Sequence, residues 1–217
     1  MRMFNVSRID WKIPLLTVLS TLLLLVDHYH YPLLPWTDWL PNWDTTISPK
    51  VLDRTLLYFV IPMLCILVCF RENPNNYGFT LGDWKKGLLF TFVGILLMTP
   101  ILLFVGRQNA SISSYYESQY AGLPWNTFLD LFGWEFMFRG FLLFGYTRKL
   151  GVDGIWFQAV PFALAHMGKP ELETLTTIFG GYAFGWIAWK TKSFLYPFLI
   201  HWYIASGIIF VAARLDG

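Results

Sequence analysis

Charge is what this sequence has least of. Only 14% of its 217 residues are Asp, Glu, Lys or Arg, against about 25% in an ordinary soluble domain. Cysteine is nearly absent as well. The two present, Cys65 and Cys69, are four residues apart, which is not the C-x-x-C spacing of redox or metal chemistry. On a helix they share one face and read as small packing residues, so cysteine usage says nothing about compartment. There is no internal repeat, no low-complexity tract and no linker long enough to divide the chain, and a single domain over 1–217 is expected. The net charge of +2 comes from lysines and arginines flanking apolar runs, so no nucleic-acid partner is implied.

What fills the chain instead is apolar. Hydrophobic residues make up 55% of it. That excludes a disordered protein and points to an all-α, polytopic membrane bundle. A spanning helix needs about 20 mostly apolar residues. Seven runs qualify, near 13–31, 53–70, 87–106, 124–146, 152–168, 172–189 and 193–213, of which the fifth and sixth are short enough to be partly re-entrant. The first follows Arg2, Arg8 and Lys12 and leads into Asp27-His28-Tyr29-His30 rather than a small-residue cleavage site, so it reads as a retained anchor. With the N-terminus in the cytoplasm, ten loop lysines and arginines fall inside and five outside. The positive-inside rule therefore favours that orientation. The tryptophans of 35–43 and His28 and His30 read as an outer interfacial belt.

Ionisable residues within such runs are costly and mark function by default. Here they are Asp130, Glu135, Arg139, His166 and His201. Glu135 and Arg139 are four apart and meet on one helix face. Measured from the basic side at 1.5 Å per residue, Glu135 lies roughly 20 Å deep, His166 roughly 22 Å and His201 roughly 14 Å. These depths overlap near the middle of a core about 30 Å thick. One carboxylate and two imidazoles from three helices can therefore share a cavity. Gly181-Tyr-Ala-Phe-Gly185 adds a G-x-x-x-G for close helix approach.

The chemistry of that set fits hydrolysis. A poorly solvated carboxylate is more basic than a free one and can accept a proton from water. A histidine can share the proton, and another can donate to a developing oxyanion. Glu135, His166 and His201 would equally suit a zinc ion with an open fourth position. Zinc is thus possible, though the set needs no cofactor. The pattern also allows a proton-relay transporter, although no inverted repeat supports that reading.

The motifs Glu135-Phe-Met-Phe-Arg139-Gly140, Phe162-Ala-Leu-Ala-His166 and His201-Trp-Tyr-Ile-Ala205 resemble those of the CPBP family. These are the CAAX-processing and bacteriocin-processing intramembrane endopeptidases. Order and spacing match over about 124–206. The resemblance implies a helical bundle with a site buried in the membrane. It implies cleavage of a membrane-anchored protein near its anchor, often at the C-terminus, and residence in a prokaryotic cytoplasmic membrane. Family members are described both as metalloproteases and as glutamate proteases. By this likeness Glu135 is base or ligand, His166 shares water activation, His201 binds oxyanion or metal, and Arg139 orients Glu135. The sequence departs from the family twice. Trp134 stands where a first glutamate is usual, with Asp130 one turn before it as a replacement base, and Ala205 stands where Asn is frequent. Both departures favour the alternative of an inactive relative that binds membrane peptides or confers bacteriocin self-immunity.

Overall fold

The computed structural model describes residues 10–39 and 47–214. Arg2, Arg8 and residues 40–43 of the tryptophan-rich stretch lie outside the described residues. Every regular element among those described is helical. Seven long helices are named α1 (Lys12–His28), α2 (Pro49–Phe70), α3 (Trp84–Gln108), α4 (125–150), α5 (Gly154–Leu164), α6 (Glu171–Thr191) and α7 (Leu195–Ala212). They fall on the seven apolar runs. A short helix, Ala110–Glu117, joins α3 to α4.

Local signals set the helix ends. Ser48 caps α2, accepting from the Val51 N–H, with Pro49 in the first turn, where its missing N–H costs nothing. Asp83 caps α3 by accepting from the Lys86 N–H. At the other end, α2 and α6 each stop at a cation in the left-handed region, Arg71 at φ 55° and Lys192 at φ 60°.

Three helices, α2, α3 and α7, are long and apolar enough to cross a bilayer on length and composition alone. Only 11% of the most apolar window of α3 is buried inside the bundle. It exposes Leu88, Phe92, Leu96, Leu97 and Phe104. In water such a belt would drive association; in hydrocarbon it is the surface a spanning helix presents to lipid. This is an integral membrane protein.

Helix α4 is the axis. It packs against α1, α2, α5, α6 and α7. Residues Phe136–Leu142 are all buried and take π-helical geometry, between α-helical Trp125–Glu135 and Leu143–Leu150. A helix apolar all round belongs inside a bundle, and π segments of this kind are frequent at functional sites. Close approach of α5 and α6 depends on the G-x-x-x-G. A Cβ at Gly185 would lie 2.5 Å from Gln158 Nε2, and one at Gly181 would lie 3.0 Å from the Phe162 ring.

The fifth element fits the partly re-entrant option for the run 152–168: α5 ends at Leu164, just beyond Pro161. Its 11 residues rise about 16 Å, half a bilayer core. His166 therefore sits in a turn. Its carbonyl accepts from the Lys169 N–H at 3.1 Å and from the Thr174 hydroxyl at 2.9 Å.

Candidate active site

Four of the expected residues meet in the core between α4, α5 and α7. Glu135 and Arg139 are both 0% exposed, one turn apart along the start of the π segment. Arg139 Nη1 donates to Glu135 Oε1 at 3.1 Å. From α7, His201 Nδ1 donates to the same oxygen at 2.6 Å. The overlap of depths expected from helix rise thus becomes a direct contact between residues 66 apart in sequence.

The second carboxylate oxygen, Glu135 Oε2, is buried with no hydrogen-bond partner among the described residues. So are Arg139 Nε and Nη2. The guanidinium lies 3.7 Å from the Phe162 ring centroid and 5.3 Å from that of Phe184. Aromatic faces thus supply part of what hydrogen bonds do not. Buried polar groups are seldom left this way, and an acceptor and two donors in one place make a polar patch suited to a reacting group.

His166 is 3% exposed. Its Nδ1 lies 2.8 Å from the Phe162 carbonyl oxygen. A carbonyl can only accept, so Nδ1 carries the proton and Nε2 carries the lone pair. The same reasoning holds for His201, whose Nδ1 faces a carboxylate. Both imidazoles border Phe162, with centroids at 4.6 Å for His166 and 6.0 Å for His201. No hydrogen bond joins His166 to Glu135 or His201 among the described residues.

A metal is a poor fit to this arrangement. No three His, Cys, Asp or Glu side chains are grouped to hold an ion among the described residues. Glu135 and His201 are joined by a direct hydrogen bond, and His166 has turned its Nδ1 to the backbone.

Asp130 does not stand in for the missing glutamate. It accepts from Arg54 Nη1 at 3.0 Å. The same guanidinium holds Asp27 through Nε at 2.8 Å and Nη2 at 2.9 Å, and Tyr58 donates to Asp27 at 2.8 Å. Sequence reasoning misses this cluster, because its partners converge from α1, α2 and α4. Where the family has its first glutamate, Trp134 is 5% exposed and stacks on Tyr58.

Residues 117–211 match the family model described as Type II CAAX prenyl endopeptidase Rce1-like. This segment is similar to Rce1-like domains. It takes in α4 to α6 and most of α7, so all four site residues lie within it, while α1 to α3 lie outside. No curated protein and no solved structure matches the chain. The Rce1-like match agrees with the CPBP resemblance carried by the three motifs. It supports an intramembrane endopeptidase in general terms.

Proposed function

We propose that this protein cleaves a peptide bond near the membrane anchor of a substrate protein, at its C-terminal side, with Glu135 as proton acceptor and without a metal. The supporting observation is the divided use of one carboxylate. Oε1 is held by Arg139 and His201, and Oε2 is buried and unpartnered. A water bound to Oε2 would give up a proton to Glu135 as its oxygen bonds to the scissile carbonyl carbon. His166 Nε2 accepts a second hydrogen bond from that water. The proton stays on Glu135 Oε2, while His201 Nδ1–H and Arg139 Nη1 keep hold of Oε1. When the C–N bond breaks, the proton leaves on the amine and the other product is the carboxylic acid. His201 is thereby a partner of the base, and its Nε2, which carries the lone pair, can accept but not donate.

The test is co-expression with candidate C-terminally anchored membrane proteins, read by mass spectrometry of their new C-termini. New termini should appear with the wild type and vanish with Glu135→Gln and with His166→Ala, while each variant still accumulates in membranes. Wild-type processing by both variants would refute this site. Binding of a substrate with no cleavage by the wild type would instead support the inactive relative.

The ten-to-five split of loop charges favours a Lys169 turn outside the cell, in which case the substrate would be cut after translocation. Cysteine at Lys169, in a background lacking Cys65 and Cys69, should react with an impermeant thiol reagent on intact cells, and cysteine at Lys149 should not. The reverse pattern would move the substrate to the cytoplasm.

A further inference from the structure

Trp134 is more than a residue filling the place of a glutamate. Its ring is the middle member of a stack of three. Tyr58 lies on one side at 5.0 Å between centroids and 1° between planes. His166 lies at 5.8 Å and 13°. The Arg54 guanidinium sits 5.5 Å from the indole, and Arg54 itself is held by Asp27 on α1 and Asp130 on α4. Phe138 completes the surround, 5.1 Å from Trp134. The indole has little freedom to tilt.

The imidazole it meets has two constraints of its own. The Phe162 ring borders it at 4.6 Å, and the hydrogen bond from Nδ1 to the Phe162 carbonyl fixes the tautomer. A hydrogen bond tolerates a range of angles, which leaves libration about χ2. A flat neighbour parallel to the ring limits that libration. His166 also needs such help more than a helical residue would, because it lies in the turn after α5.

We infer that Trp134 is a positioning residue: it sets the ring plane of His166, and the Asp27–Arg54–Asp130 cluster holds Trp134 in place to do so. The inference rests on the proposed part of His166 in activating water. On this reading the chain replaced a second carboxylate by a clamp on the remaining imidazole. The clamp joins α1 and α2, outside the Rce1-like segment, to the site within it.

The test compares Trp134→Phe, which keeps a flat ring, with Trp134→Leu, which keeps apolar volume without one. The first readout is carbethoxylation of His166 and His201 by diethyl pyrocarbonate in proteoliposomes, resolved by peptide mass spectrometry. Trp134→Leu should raise the His166 rate about tenfold, the scale of a lost aromatic stack, with His201 within about twofold. Trp134→Phe should stay near wild type. The second readout is turnover of a fluorogenic peptide spanning the mapped cleavage site. Trp134→Leu should lower kcat about ten- to a hundredfold, as misplacement of a reacting group does, with KM within about twofold. Adding it to His166→Ala should cost nothing more. Wild-type His166 reactivity and kcat in Trp134→Leu, or equal losses in both Trp134 variants, would overturn the clamp. If His166→Ala is inactive in that same experiment, the catalytic reading survives alone. If His166→Ala turns over normally, the role of His166 and the clamp fall together.

Discussion

The protein carries two buried charge clusters about one helical turn apart on α4, and they are built on opposite terms. Around Arg54 every guanidinium nitrogen has a carboxylate partner and Tyr58 closes the remaining lone pair on Asp27. Around Glu135 one oxygen is used twice while the other, and two nitrogens of Arg139, have no partner among the described residues. Completed networks fix helices relative to one another. Incomplete ones are costly and persist where a substrate or reacting water completes them. The comparison teaches which cluster is the staple and which is the workplace, each built around one arginine.

The same chemical change should therefore have opposite consequences in the two places. Glu135→Gln removes the proton acceptor, and turnover should fall by about 10²- to 10⁴-fold. Asp130→Asn, which reaches the site only through the Trp134 clamp, should lower turnover per folded molecule by at most about tenfold, measured on the same fluorogenic peptide. A comparable loss of rate in both would erase the distinction drawn between the clusters.

Arg54→Ala should be the most destabilising single change at the staple. It strands Asp27 and Asp130 without their cation, at a cost of about 3 kcal/mol. Thermal unfolding in detergent measures it, and an unchanged midpoint would show that the cluster does not hold α1 and α2 to α4.

The smallest effect is expected at a third charged group, at the basic end of the bundle. Glu72, between α2 and α3, accepts from Lys12, Arg148 and Tyr77. Burial alone would raise its carboxyl, but those hydrogen bonds outweigh burial and hold its pKa at about 2. A carboxyl lowered on folding stabilises the fold fully above its ordinary value near 4.5. That contribution fades as pH falls from there towards 2. The unfolding midpoint should drop over that window in the wild type. The drop should be shallower in Glu72→Gln, and parallel curves would count against a paired Glu72.

Much of this was legible in the sequence, for physical reasons. The seven helices follow from apolar run lengths, because a bilayer admits few other solutions. The Glu135–Arg139 pair follows from helix spacing, and its meeting with His201 from helix rise. Three features were not legible. The Arg54 cluster needs α1, α2 and α4 to converge, with partners 27 and 76 residues away, and no local spacing encodes that. The end of α5 at Leu164 was masked by an apolar run continuing past the helix. The stack on Trp134 depends on ring planes, which composition does not carry. A departure from the family motif drew attention to position 134 without saying what the indole does there.

The π-helical stretch of α4 has a consequence for how the chain can vary. Glu135 enters it and Arg148, bound to Glu72, follows it. Each residue of helix carries about 100° of rotation. Losing one residue from 136–142 would turn everything beyond it by that angle relative to Glu135, and either Arg139 or Arg148 would face the wrong neighbour. The length of this segment is therefore a stricter inheritance than most of its side chains. Insertions and deletions should be tolerated in the connection between α2 and α3 long before a single one is tolerated here.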